Sequence, residues 1–194
     1  MATPITTHVE VTERCNERCR HCYNFDRSGV FKPQEITWAN LRHTISELVD
    51  NKVMHIIITG GEPLLALDKT CYLAKQCLGA GMSVSLNSNL VGCTSAVAKR
   101  LREAGIDHCM TTLHSHKEDV TDWIANVPGS HQKVLTGIKN AQLAGIRVTV
   151  CTVLSEHNKQ DIIPTGELCY KLGVKKFIAY RTIPSTTNNK SLDP

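Results

Sequence analysis

Glycine recurs at Gly81, Gly105, Gly145 and Gly173, each time at the end of an amphipathic stretch and a residue or so before a β-rich one. A glycine just past a helix takes the left-handed conformation that stops it, so this spacing predicts a helix ending and a strand beginning, four times over. The β-rich stretches are residues 9–12, 55–59, 83–87, 108–113, 147–153 and 176–180. Between them, helices start at residues whose side chains cap unpaired N–H groups. Thr37 stands ahead of Trp38, Leu41, Ile45 and Leu48, Asp68 ahead of Cys71, Ala74 and Leu78, and Thr94 ahead of Val97, Leu101 and Ala104. Two further helices are read over residues 132–144 and 159–172.

Strands alternating with helices make an α/β fold with a parallel sheet. Polar residues then gather at the carboxyl ends of the strands: Glu62, Ser88 and Asn89, Thr112 and His114, Thr152, and Arg181. That end is where α/β barrels carry their sites. Six βα units cannot close an eight-stranded barrel, so periodicity permits an open doubly wound sheet or a partial barrel.

After the first strand come Cys15, Cys19 and Cys22, with His21 between the last two. Spacings of three residues and then two direct three thiolates to one centre and leave a coordination position unfilled. Structural zinc closes a four-ligand shell, commonly from well-separated pairs, whereas a four-iron cluster held by three cysteines keeps one iron open to an external molecule. The spacing favours the open iron, although the triad by itself does not exclude an incomplete zinc shell. The chain has nine cysteines, and the other six, Cys71, Cys77, Cys93, Cys109, Cys151 and Cys169, form no second CxxC. An odd count among apolar neighbours, with no secretory segment ahead of it, reads as buried free thiols in a reducing, cytoplasmic setting.

Composition narrows the classes further. With 41% hydrophobic and 21% charged residues, 194 residues form one globular domain. No run of eighteen apolar residues offers a membrane span. The net charge of +4 is spread along the chain, so a basic patch for nucleic acid is not indicated. A Ser-His-Asp order and a Walker loop are both lacking, which leaves hydrolase and nucleoside-triphosphatase readings without support.

The triad, taken with Gly60-Gly61-Glu62-Pro63 after the second strand, resembles the radical S-adenosylmethionine (SAM) superfamily, over about residues 8–184. The resemblance implies a partial (β/α)6 barrel over residues 1–184, with 185–194 as a polar tail or a linker to a C-terminal domain. It implies that Cys15, Cys19 and Cys22 hold a 4Fe-4S cluster whose open iron is chelated by SAM. An electron from a low-potential donor then cleaves SAM to methionine and a 5′-deoxyadenosyl radical that takes hydrogen from substrate.

Gly60 and Gly61 let backbone approach a ligand closely, and Glu62, followed by Pro63, offers a negative partner for the SAM ammonium. Ser88, Asn89 and Thr112 match positions that touch the SAM ribose or carboxylate, while His21 and Tyr23 could line the adenine pocket. The chain departs from the family pattern at Leu90, where glycine is usual, and at His114-Ser115, where Asp-Gly is usual. His114, His116, Asp119 and Asp122, in a long segment after the fourth strand, are candidates to face substrate, the other reading being a plain polar loop over the barrel mouth. Residues 112–122, 128–130 and 134–138 resemble enzymes that modify peptides and proteins. A small-molecule enzyme of cofactor or heme biosynthesis is the second reading, and a noncatalytic zinc-binding module the third.

Overall fold

The structure, a computed structural model, describes residues 4–22 and 34–181. Tyr23 and the 185–194 stretch lie outside the described residues. The elements run β1 (Thr6–Glu10), α1 (Trp38–Asp50), β2 (His55–Thr59), α2 (Leu67–Gly79), β3 (Ser83–Asn87), α3 (Ser95–Glu103), β4 (His108–Thr112), α4 (Glu118–Ala125), α5 (Ser130–Leu143), β5 (Arg147–Leu154), α6 (Ile162–Lys171) and β6 (Lys176–Arg181). Short 3-10 turns at Pro63–Ala66 and Lys159–Asp161 lead into α2 and α6.

All five strand pairings are parallel, and the spatial order is the sequence order, β1 to β6. A doubly wound sheet reverses direction at a switch point; a sheet that always adds the next strand on the same side curls instead toward a barrel. Among the described residues β1 and β6 do not pair, so the barrel is partial and open along that side.

Alternation splits the sheet into two unlike faces. Val9, Ile56, Ile58, Val84, Leu86, Cys109, Val148 and Val150 are buried in one cluster with Leu41, Leu48, Leu73, Leu101 and Ile138 of the helices. The residues between them face inward and are mostly polar: His55 contacts the hydroxyls of Ser83 and Ser85 at 2.7 and 3.1 Å, and His108 that of Thr149 at 2.9 Å. The core therefore lies between sheet and helices.

Helix ends follow the sequence reading closely. Thr37 and Thr94 accept from the amides of Asn40 and Val97 at 3.1 and 3.2 Å. Gly81, Gly105, Gly145 and Gly173 all have φ between +76° and +90°. In each case the following amide reaches back five residues, as Met82 does to the Cys77 carbonyl at 3.0 Å. Helix α1 ends the same way with Lys52 at φ 53°, a position that no glycine marks.

Four expectations are corrected. Strand β1 is Thr6–Glu10 rather than 9–12, because its register is fixed by Thr6 opposite His55 and Glu10 opposite Thr59, and the chain then bends to meet Gln34 to Ile36. Asp68 does not cap α2: the helix begins at Leu67 after the 3-10 turn, and Asp68 pairs with Arg100 at 2.5 Å. The 159–172 helix divides at Asp161 into a 3-10 turn and α6. The polar loop expected after β4 contains helix α4.

Leu90, where the resemblance leads one to expect glycine, adopts the left-handed conformation with φ 58°. It is fully buried against Gly137 of α5, where an added Cβ would lie 2.1 Å from the Leu90 carbonyl oxygen. Gly137→Ala is therefore expected to lose about 1 to 3 kcal/mol in urea denaturation despite alanine's better helix propensity. Gly79→Ala, whose Cβ would meet nothing within 4 Å, should be neutral or stabilising by up to about 1 kcal/mol. Equal effects at the two sites would show that the Leu90 contact is not limiting.

Candidate functional site

The segment after β1 is shaped by backbone contact. Val11 donates to the Thr59 carbonyl at 3.1 Å, Gly61 to Thr12 at 2.6 Å and Glu62 to Arg14 at 2.7 Å, so the pairing of β1 with β2 continues past the strand ends. An added Cβ would lie 2.4 Å from the Thr12 oxygen at Gly60, and 2.0 Å from the Arg14 oxygen at Gly61. The close approach that these glycines permit within the protein is to the chain's own backbone, at Thr12 and Arg14. Cys15 follows directly.

Glu62 is fully buried. Its carboxylate accepts from the Leu64 amide at 2.9 Å, the Ser88 hydroxyl at 2.7 Å and the Asn89 amide at 2.8 Å. Ser88 is spent inside the protein as well, since its oxygen also accepts from the Leu90 amide at 3.0 Å. Asn89 reaches outward: its side-chain nitrogen donates to Asn16 at 2.7 Å and lies 4.0 Å from the Cys15 sulfur. Glu62 thus clamps the β2 turn to the end of β3, and Asn89 carries that clamp to the cysteine loop. Pro63, buried, opens the 3-10 turn behind it.

The rest of the loop sits on helices that local sequence patterns did not connect with it. At the end of α4 the carbonyls of Trp123, Ile124 and Ala125 accept from Arg20 Nε at 2.9 Å, the Arg20 amide at 2.9 Å and the Arg18 amide at 3.1 Å. The Ile124 and Ala125 carbonyls are ones that the helix end leaves open, while that of Trp123 also accepts from the Asn126 amide at 3.2 Å. At the start of α5, Glu17 accepts a hydrogen bond from the Ser130 hydroxyl. Asp122 accepts from the Gly129 and His131 amides at 2.5 and 2.9 Å, so this candidate for facing substrate is instead the cap of α5. A carboxylate at a helix start and a guanidinium at a helix end both suit the helix dipole. The apolar spacing Val120, Trp123, Ile124 behind an acidic first turn was the available signal for α4.

Cys15, Cys19 and Cys22 are half-buried, and none of them is in a disulfide. Burial pushes the Cys19 thiol well up, and the Glu17 charge and the other two thiols push it further. A thiol so placed gains its negative charge readily only beside a cation, so this thiolate-only donor set fits a metal cluster. Among the described residues no three His, Cys, Asp or Glu side chains converge on a position for a single metal ion. His21 meets His114 edge to face at 4.8 Å, and the Nδ1 atoms of both are buried without a hydrogen-bond partner. Burial lowers His21 to about 4 and His114 well below the ordinary range, so both rings are neutral at pH 7. Thr112 ends β4 with its hydroxyl 3.3 Å from the Cys151 sulfur. His116, four residues further on, is half-buried, and Asp119 is exposed in the first turn of α4.

Burial raises the Glu62 carboxyl from 4.5 to about 7, against the donors that favour its charge. Its contribution to stability is therefore full below the unfolded pKa and is lost as pH rises through about 7. His21 and His114 act in the opposite direction, losing theirs as pH falls below the unfolded histidine value of 6.5. A variant separates the two effects. The stability advantage of wild type over Glu62→Gln should shrink by roughly 2 to 3 kcal/mol between about pH 5 and pH 8 in urea denaturation. A difference that does not change with pH would contradict this assignment.

Comparison with known proteins supplies the kinship. A pre-heme d1 synthase of Dinoroseobacter shibae is 30% identical over 181 residues, which is 93% of this chain and 44% of that protein. A PqqA peptide cyclase of Ruegeria pomeroyi is 27% identical over 173 residues, 89% of this chain and 46% of that one. The chain spans about half the length of the curated relatives it matches. Among solved structures, Streptococcus suis SuiB bound to S-adenosylmethionine shares the fold, with TM-score 0.77 and 17% identity over 96% of this chain and 43% of that one. The described helices include none long and apolar enough to cross a membrane. The model of the radical SAM superfamily matches residues 9–169, and the chain belongs to that superfamily.

Proposed function

We propose that this chain is the catalytic core of an enzyme that binds a 4Fe-4S cluster through Cys15, Cys19 and Cys22 and reductively cleaves SAM. The observation that carries the reading is the joining of the cysteine loop to the Gly60-Gly61-Glu62 turn and to Asn89 at one end of the sheet. When bound, the cluster supplies the electron that splits the sulfonium to methionine and a 5′-deoxyadenosyl radical.

The chain's own residues hold and enclose these groups. The turn at Gly60 and Gly61 offers backbone for the methionine ammonium, while Glu62, its oxygens already engaged, fixes the turn's shape. Asn89 and Thr112 stand at the ends of β3 and β4 for the sugar and carboxylate, and Ser88 acts through Glu62. His21 and His114, neutral and with unpaired Nδ1 atoms, suit a flat uncharged group such as adenine. A low-potential electron donor is the required partner.

A peptide or protein is the first reading for the substrate, supported by the PqqA peptide cyclase relative and by structures such as that of SuiB bound to precursor peptide SuiA. A small molecule is the second, supported by the 30% identity to a pre-heme d1 synthase.

Anaerobic reconstitution with iron and sulfide should turn the chain brown, and a strong reductant should then release 5′-deoxyadenosine from SAM. Each of Cys15→Ala, Cys19→Ala and Cys22→Ala should abolish both, whereas Cys77→Ala, at a buried core thiol, should leave both unchanged. A colourless protein that takes up one zinc and leaves SAM whole would overturn the reading.

A further inference from the structure

We infer that Arg20 and Trp123 are positioning residues for the cluster-binding cysteines, and that the end of α4 sets the Cys19–Cys22 turn before any metal arrives. The inference rests on the functional reading above but concerns residues that this reading leaves without a role.

Arg20 is held by four kinds of contact. Its amide and Nε each meet a carbonyl at the end of α4 at 2.9 Å. Its Nη2 meets the Asn126 side chain at 3.3 Å, presented by a residue in the left-handed conformation with φ 55°. Its guanidinium lies 4.4 Å over the Trp123 ring. His157, from the loop after β5, stacks on the same ring at 4.0 Å and 16°. Trp123 thus packs against both planar groups.

Arg18 and Arg20 flank Cys19, and both amides are bound to α4. The Cys22 amide closes the turn onto the Cys19 carbonyl at 3.0 Å. The loop is tied at its next residue too, since His21 meets His114, whose carbonyl accepts from Asn158 at 2.9 Å, one residue beyond the His157 that stacks on Trp123. The backbone on either side of Cys19 is therefore fixed by protein alone. Lysine could not replace Arg20 here, because it has neither a second fixed donor nor a planar face for the ring.

The test uses the full chain with Arg20→Lys, Trp123→Ala and Trp123→Phe. In the metal-free wild type, the Arg18 and Arg20 amides should exchange hydrogen as slowly as those at the end of α4. In Arg20→Lys they should exchange faster, with the α4 interior unchanged. After anaerobic reconstitution, Arg20→Lys and Trp123→Ala should lose their cluster to a chelator between about ten and a hundred times faster than wild type, with an altered EPR spectrum of the reduced cluster. Trp123→Phe, which retains a ring for the stack, should recover most of the difference. Wild-type chelation rates and spectra in both Arg20→Lys and Trp123→Ala would overturn the inference. So would rapid exchange of the Arg18 and Arg20 amides in the metal-free wild type. A wild-type chain that takes up no cluster would count against the functional reading, while the exchange measurement would still decide whether α4 holds the turn.

Discussion

A Cβ on Gly61 would lie 2.0 Å from the carbonyl oxygen of Arg14, so the two chain segments that carry the site meet only because that atom is absent. The contact lets Gly61 and Glu62 extend the β1–β2 pairing with hydrogen bonds of 2.6 and 2.7 Å. From it the rest follows in order. Cys15 is delivered beside the end of β3, Glu62 is turned inward beneath it, and Asn89 bridges the two. A side chain at residue 61 would have to push the whole post-β1 segment outward, taking the first cysteine with it.

Three carboxylates, Glu62 and Glu17 buried and Asp122 half-buried, then divide the work of joining elements. Glu62 ties the β2 turn to β3, Glu17 ties the cysteine loop to α5, and Asp122 ties α4 to α5. An isolated buried charge is costly, and each of these is offset by directed donors. The offset is incomplete at Glu62 and Glu17, where burial still raises both pKa values. The site thus keeps negative groups in a dry setting beside the thiols, and Arg20, held against the end of α4, places a positive one on the same loop.

Local rules were enough to read the beat of the fold. The left-handed glycines, the Thr37 and Thr94 caps and the strands at 55–59 and 83–87 stand where the sequence puts them, because each is decided within a few residues. The seat of the cysteine loop was not legible in the same way. Arg20 meets Trp123 across 103 positions and Glu17 meets Ser130 across 113, and nothing local to either residue announces its partner. Lys52 shows the same limit at short range, since α1 ends like its neighbours without the residue that advertises the ending. Strand β1 was misplaced because Val9 and Val11 mark the buried face, whereas the strand's extent is set by pairing with β2.

Leu90 shows how a strained backbone position beside the site is supported by its neighbour. The left-handed conformation costs a non-glycine residue about 1 to 2 kcal/mol, while complete burial of a leucine side chain contributes about 1.5 to 3 kcal/mol. The exchange is tolerable only if a neighbour makes room, and the neighbour is Gly137, which lies against the Leu90 carbonyl and Cβ. With Leu90 at φ 58°, the chain leaves β3 so that Ser88 and Asn89 both bond Glu62 and the Asn89 side chain reaches the cysteine loop.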